Sequence, residues 1–366
     1  MKKYFRRKNF SFICADVWFG VFAWFGRAKL GLKLALLSWR FDALVDEYFR
    51  GRKWSLGVVE IRHAKEQIWH TENGTGPKGV RRRQWKLGSN ATMFIKFCDD
   101  TFKKRVEFPH ISPPANLIGF KRIIIRLGRH IDIKVIAFLS SIQHLFNANI
   151  ILELNILRDV DPSWPAIAQE IWPLSYQSID TLILYRNGIS MLRNLVSPTV
   201  LRDCPNLRRI VSNNFPDAVP DDRAGADISK AVSMWLHTPR PDGRPKVMVY
   251  GRPKFEYQGR LADIKRIFAN ASSSPVSYVV SLYLKHKHQL DHPQPFDVEN
   301  GRTKERLTFR YIEHRTRFCD GLWLLRRGPI EWNESQWEES ERMAKNWTTD
   351  NVPITYNRTI VFRHVS

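Results

Sequence analysis

Cysteine is scarce in this 366-residue chain: Cys14, Cys98, Cys204 and Cys319 lie far apart and form no CxxC pair. That spacing argues against a disulfide framework and a structural zinc site, and makes a reducing compartment the default. Long apolar runs are also lacking. No uninterrupted stretch reaches the roughly 18 residues that a membrane span needs, so no membrane partner is expected. Motifs that carry chemistry are missing too. Gly74–Gly79 (GTGPKG) has glycines and a lysine but not the GxxxxGK spacing with a following Ser or Thr that cradles phosphate, and no GxSxG elbow occurs. His286, His288 and His292 stand beside Lys285 and Lys287, which repel a cation, so they read as a solvated loop. Asp161 and the pair Asp221-Asp222 read as turn or cap residues. No catalytic residue, metal or cofactor is therefore expected.

Acidic residues are outnumbered. Lys and Arg total 58 against 36 Asp and Glu, a net charge of +22, with concentrations at Lys2–Lys8, Arg81–Arg83 and Lys103–Arg105. Such charge favours non-specific attraction to nucleic acid, an anionic surface or an acidic protein. No zinc-finger spacing, RNP-type motif or basic zipper supplies a sequence-specific reader, so the runs read first as solvated faces. The basic start followed by the apolar run Phe10–Phe25 resembles a signal peptide. Asp16 interrupts that run and no small-x-small cleavage site follows. The cytoplasm or nucleus is the expected location, with a secreted or a nucleic-acid-associated binding protein as the alternatives.

Hydrophobic residues make up 43% of the chain, enough for a real core. The densest apolar patterning spans Ile13–Phe49 and predicts three short helices. Val17, Val21, Phe22 and Phe25 recur at helical spacing, then Leu30, Leu34 and Leu37, then Trp39, Phe41, Leu44, Val45 and Phe49. About forty residues cannot bury that much apolar surface alone, so either the rest of the chain or another protein must cover it.

Further on, Leu56–Ile61 and Met93–Phe97 read as short strands, Thr71–Ser89 as a basic loop, and Pro113-Pro114 as a boundary. From Lys121 a period of about 28 residues appears in strand-like runs at Lys121–Arg126, Ile150–Ile156, Ile179–Tyr185 and Asn206–Val211. Helices are expected between them: one capped by Asp132 and running to Phe146, one over Trp164–Trp172, one over Ile189–Leu195, with a further start at Ser197-Pro198. Either an irregular solenoid or an ordinary α/β domain satisfies this pattern. Later expectations are a helix from Asp227 to Leu236, strands at Lys246–Tyr250 and Val276–Leu284, and a hairpin around Asn300-Gly301. Leu322–Arg326 extends the sheet, and an acidic helix from Asn333 and a strand at Thr359–Val365 close the chain.

Leu34–Phe41 (LALLSWRF) resembles the second half of an F-box; Asp42–Asp46 continues it, and Asp16, Val17, Val21 and Phe22 fit the first half. Ile13 and Cys14 stand where that family has Leu and Pro. Val200–Ile210 (VLRDCPNLRRI), Trp235–Lys246 (WLHTPRPDGRPK), Glu305–Arg310 (ERLTFR) and Leu322–Pro329 (LWLLRRGP) are similar to phrases in an expanded nematode group of F-box proteins. The resemblance implies an α+β chain: a three-helix module (12–50), a basic connecting segment (51–115), and an α/β leucine-rich-repeat-like body with a C-terminal antiparallel sheet (116–366). It also implies a non-catalytic substrate receptor that docks a Skp-type adaptor, and through it a cullin–RING ubiquitin ligase. The adaptor-binding candidates are then Ile13, Cys14, Val17, Val21, Phe25, Leu30, Leu34 and Leu37. The substrate-binding candidates are Arg122, Arg126, Arg208 and Arg209, in or beside strands, which suit an acidic or phosphorylated protein.

Overall fold

The computed structural model describes residues 13–24, 37–50, 54–71, 81–96, 104–106, 117–126, 131–146, 149–156, 161–185, 187–250, 257–272, 275–284, 294–312 and 321–345. The chain divides into two compact units, Met1–Ile150 and Ile151–Ser366. It contains helices and a large mixed sheet, so the class is α+β. The expected junctions near residues 50 and 115 both fall within the first unit.

The first unit opens with helices α1 (Ala15–Phe22) and α2 (Trp39–Arg50). Strands β1 (Trp54–Thr71), β2 (Arg81–Lys96), β3 (Lys104–Val106) and β4 (Leu117–Arg126) follow, in the order β4-β1-β2-β3. β4 runs parallel to β1, while β1–β2 and β2–β3 are antiparallel. Ile123, Ile124 and Ile125 are all buried, so this part of β4 is covered on both faces. The basic loop expected over Thr71–Ser89 is corrected: its portion from Arg81 is strand, paired with β1 back to Arg81↔Thr71. Cations do not prevent pairing, because antiparallel ladders are made by the backbone. Helix α3 (Ile133–Ser141) starts where Asp132 caps it, its carboxylate accepting from the Lys134 amide at 3.0 Å. It ends earlier than expected, and a tight turn at Gln143–Leu145 carries the buried Leu145 inward.

In the second unit the strand order is β10-β11-β12-β9-β8-β7-β6-β5. Here β5 is Ile150–Leu154, β6 Ile179–Leu184, β7 Arg209–Ser212, β8 Lys246–Tyr250 and β9 Tyr278–Leu284. β10 (Phe296–Asn300), β11 (Glu305–Ile312) and β12 (Gly321–Pro329) complete it. From β6 to β9 neighbours are parallel and in chain order; β12, β11 and β10 then add antiparallel.

The helical stretch Ser163–Ser175 contains α4 (Ser163–Ala166) and α5 (Trp172–Ser175), joined by a π-turn at Ile167–Ile171. Pro173 has no N–H for the ordinary ladder, which accounts for the wider turn. Next come α6 (Gly188–Leu195) and α7 (Ile228–His237), the latter capped by Asp227 at 2.8 Å from the Ser229 amide. The helix expected at Ser197-Pro198 is only a turn, closed by Val200 and Arg202 amides on Ser197 and Thr199 carbonyls. Helix α8 (Tyr257–Asn270) is absent from the sequence expectation, although Leu261, Ile264 and Phe268 bury one stripe of it. The last described element is α9 (Glu334–Lys345). The strand expected at Thr359–Val365 lies outside the described residues.

Alternation explains how the sheet is covered twice. Ile183, Val211, Val247, Val249, Val279, Leu322 and Leu324 share a cluster with Trp337 and Ala344 of α9. Between them in sequence, Leu182, Ile210, Met248 and Val280 point the other way and are also buried. Arg327 and Glu305 form a bidentate ion pair across β11 and β12, at 2.8 and 3.1 Å, and both are buried. Arg327 Nη1 also donates to His237 Nε2 at 3.0 Å, while His237 Nδ1 donates to the Ser233 carbonyl at 2.7 Å. Accepting from Arg327 requires a neutral imidazole. Burial, and then the Arg327 charge, pushes the His237 pKa down to about 4.

An unfolded His237 takes up a proton near pH 6.5, whereas the folded one refuses it until about pH 4. Stability is therefore expected to be complete above pH 6.5 and to fall as pH drops through that window, by about 3 kcal/mol in all. Denaturant melts of wild type and H237Q between pH 4 and 8 check this, with the variant's profile flatter. A second expectation concerns packing. A Cβ at Gly328 would lie 2.6 Å from Trp337 Cη2 and 2.7 Å from its Cζ2. G328A should cost about 1–3 kcal/mol by overpacking, read as a lowered denaturation midpoint.

Candidate functional site

Helix α1 begins after Cys14, with Asp16 in its first turn where a carboxylate complements the helix dipole. Ser38 starts α2: its Oγ accepts from the Phe41 amide at 3.3 Å, and its carbonyl accepts from the Asp42 amide at 3.0 Å. The two helices close an aromatic core. Phe22, Val45 and Tyr48 are buried, with Trp18, Phe19, Phe41 and Leu44 packed around them. Trp18 meets Phe41 edge-on at 4.8 Å between ring centroids, and Phe22 meets Tyr48 edge-on at 5.5 Å. Arg40 reaches from α2 to the Ile13 carbonyl at 2.8 Å and ties the entry of α1 to the second helix.

Among the described residues, a second apolar set on and beside this helix is exposed. Ile13 is 41% exposed, Val17 55%, Val21 38% and Trp24 91%. Val17 and Val21, four residues apart within α1, share one side of the helix, and Ile13 and Trp24 flank its two ends. Leu37 and Trp39, at the start of α2, are 65% and 84% exposed. Full burial of one such side chain is worth about 1.5–3 kcal/mol.

Of the residues proposed for adaptor contact, Ile13, Cys14, Val17, Val21 and Leu37 are therefore exposed in the first unit. Phe25, Leu30 and Leu34 lie outside the described residues, as does the expected middle helix. Trp24 and Trp39 were not foreseen as surface residues. Position 24 follows Val17 by seven, which is the available signal, while Trp39 carries none, since an apolar residue at a helix start reads equally well as core.

The proposed substrate arginines separate. Arg122 is buried in β4. Arg126 lies 3.5 Å from the buried Glu60 and is 30% exposed. In the second unit Arg208 lies 3.3 Å from Asp180 and is 40% exposed. Arg209 is buried beneath α9, where Nη1 donates to the Met343 carbonyl at 3.2 Å. The strand face at β7 is thus closed by α9 rather than open, and Arg122 and Arg209 serve the interior in this conformation. The acidic helix is held by side chains from the sheet. Arg326 contacts Glu334 at 3.0 Å and Glu341 at 2.9 Å, and Arg310 contacts Glu341 at 2.5 Å.

No cluster of three His, Cys, Asp or Glu suited to a metal occurs among the described residues. No described helix is long and apolar enough to cross a membrane. His286, His288 and His292 and the Gly74–Gly79 stretch lie outside the described residues. A cavity of about 90 Å³ is lined by Asp217, Ser233, His237, Phe268, Tyr278 and Arg327. Ser233, His237 and Arg327 already bond to protein groups there. Cys204 is buried, and burial pushes its thiol up to about 12, away from the reactive thiolate. No protein-family model matches the chain, and no curated protein is similar to it.

The two faces of α1 predict opposite responses. F22A empties the aromatic core and should cost about 3 kcal/mol. V21A, one residue away on the open stripe, should change stability by less than about 0.5 kcal/mol. Amide hydrogen exchange across α1 and α2 measures both.

Proposed function

We propose that the chain is a substrate-receptor subunit of a Skp–cullin–F-box ubiquitin ligase. Its N-terminal helices dock the Skp-type adaptor, and its C-terminal part holds a protein substrate in the cytoplasm or nucleus. The observation that carries the reading is the division of α1 into a closed aromatic side and an open aliphatic stripe. Ile13, Val17 and Val21 are the anchors, and Leu37 is a further exposed candidate. A few buried anchors of this type are enough to carry most of an interface's binding energy. The LALLSWRF resemblance at Leu34–Phe41 names the partner class.

The body fits a leucine-rich-repeat-like scaffold in one respect. β6 to β9 are parallel and adjacent in chain order, with helices between them, as in stacked repeats. Its substrate surface lies away from the α9-covered strand face. Arg208, half-buried and 3.3 Å from Asp180, is the more accessible of the two candidates in the second unit, and its guanidinium suits an acidic or phosphorylated group. No catalytic residue, metal or cofactor enters the reading; the protein acts by holding two partners.

Val21→Asp tests it. The carboxylate would face solvent in the free protein and a desolvated apolar surface in the complex. Co-purification with a Skp-type adaptor should be abolished, while circular dichroism and the melting of the second unit stay at wild-type values. Co-purification at the wild-type level contradicts the proposal.

A further inference from the structure

Lys246 opens β8 in the interior of the second unit and is only 6% exposed. The backbone around it is fixed on both sides. Its amide donates to the Ser277 carbonyl at 3.1 Å, and the Val247 amide donates to the Arg208 carbonyl at 2.9 Å. The side chain runs to the end of α7. There Nζ donates to the Trp235 carbonyl at 2.7 Å and lies 4.8 Å from the centre of the Trp235 ring.

The surroundings carry the wrong charge for an ammonium. Arg240 and Arg202 both repel it. Arg240 is held close by Nη1, which donates at 3.1 Å to the carbonyl of Pro245, the residue before Lys246. The nearby acids are taken by the arginines: Asp242 pairs with Arg240, and Asp222 accepts from Arg202 at 2.5 and 3.2 Å. Among the described residues no carboxylate pairs with Lys246, so a buried cation faces two others. Burial first, and then the Arg240 and Arg202 charges, pushes its pKa down to about 7. A substantial share of the side chain is then a neutral amine at neutral pH, the nucleophilic form of lysine. Lys265 is the contrast: its Nζ lies 4.9 Å from the centre of the Phe296 ring, yet the residue is exposed.

We infer that Lys246 is a carbamylation site for carbon dioxide, set by its burial over Trp235 and by the two guanidiniums beside it. The Nζ lone pair attacks the carbon of carbon dioxide. An N–C bond forms, one C–O π pair moves onto oxygen, and one proton leaves nitrogen for solvent. Amine and carbon dioxide thus give a carbamate and a proton, with nothing oxidised or reduced. The product suits the place better than the ammonium. Its remaining N–H still serves the Trp235 carbonyl, and its negative charge attracts the guanidiniums that repelled the cation. Both arginines have N–H groups beyond those bonded to Asp222, Asp242 and Pro245. An aldehyde would give an imine, which has no N–H for that carbonyl unless it regains the positive charge. Phosphate and sulfate must shed water to reach a buried amine, whereas carbon dioxide is small and uncharged. The inference concerns the second unit alone and is independent of adaptor docking.

The test uses the full chain with carbon-13-labelled bicarbonate, read by carbon NMR between pH 6 and 8. Wild type should show a carbamate resonance that grows as pH rises, because the reaction needs the neutral amine and releases a proton. K246M and K246R should lose it. K265R, which alters a lysine resting on a ring at the surface, should keep it. R240Q should weaken it severalfold, since loss of that charge favours the ammonium and removes an attraction from the carbamate. Circular dichroism monitors folding of every variant. Esterifying the carbamate in wild type with a trialkyloxonium salt, followed by peptide mass mapping, should place the label on Lys246, a readout that no variant's folding affects. The inference is overturned by absence of the resonance in wild type at pH 8, or by equal intensity in K246M and K246R. Mapping of the label to the N-terminal amine or to another lysine in place of Lys246 overturns it equally.

Discussion

The first unit depends on how helix α1 divides its apolar residues. Phe22 is wholly buried against Tyr48 and Val45, while Val21, its neighbour in sequence, faces outward with Val17 and Ile13. Water tolerates one exposed aliphatic side chain anywhere on a protein, and gives a reason to bind something only when several align. The alignment of Val17 with Val21 follows from helix geometry: positions four residues apart stack on one face. The aromatic core supplies the rigidity. Edge-on rings between Trp18 and Phe41, and the Arg40 bond to the Ile13 carbonyl, fix where that face points relative to α2.

The second unit is organised by different means. Its parallel strands are buried on both faces, so their side chains read as near-continuous runs of Val, Ile and Leu, as in Lys246–Tyr250 and Tyr278–Leu284. Several charged groups inside it are paired. Arg327 is bonded to Glu305 and His237, and Lys246 Nζ donates to the Trp235 carbonyl at 2.7 Å. Such pairs are costly to break and contribute register more than net stability.

Much of this fold was legible in the sequence, for identifiable reasons. Asp132 and Asp227 marked helix starts because a short carboxylate satisfies amides that the helix leaves bare. The Asn300-Gly301 hairpin was legible too; Asn300 accepts from the Arg302 amide and donates to the Phe268 carbonyl. Helix α8 was hidden because its apolar stripe is thin and set among Lys, Arg and Asp. The strand from Arg81 was hidden because a cationic run resembles a loop by composition, and only pairing with β1 reveals it. At the candidate site, Val17 and Val21 were readable from spacing, and Ile13 only from the F-box resemblance. The interior placement of Arg209 was not, since no local pattern shows that α9 would cover β7, and the burial of Arg122 in β4 carries no local signal either.

One measurement bears most directly on the open stripe: hydrogen–deuterium exchange of the full chain, free and mixed with a purified Skp-type adaptor. Added adaptor is predicted to slow exchange across residues 13–24 and 37–50 and to leave the strands of the second unit unchanged. Identical exchange in those helices with and without adaptor would contradict the account.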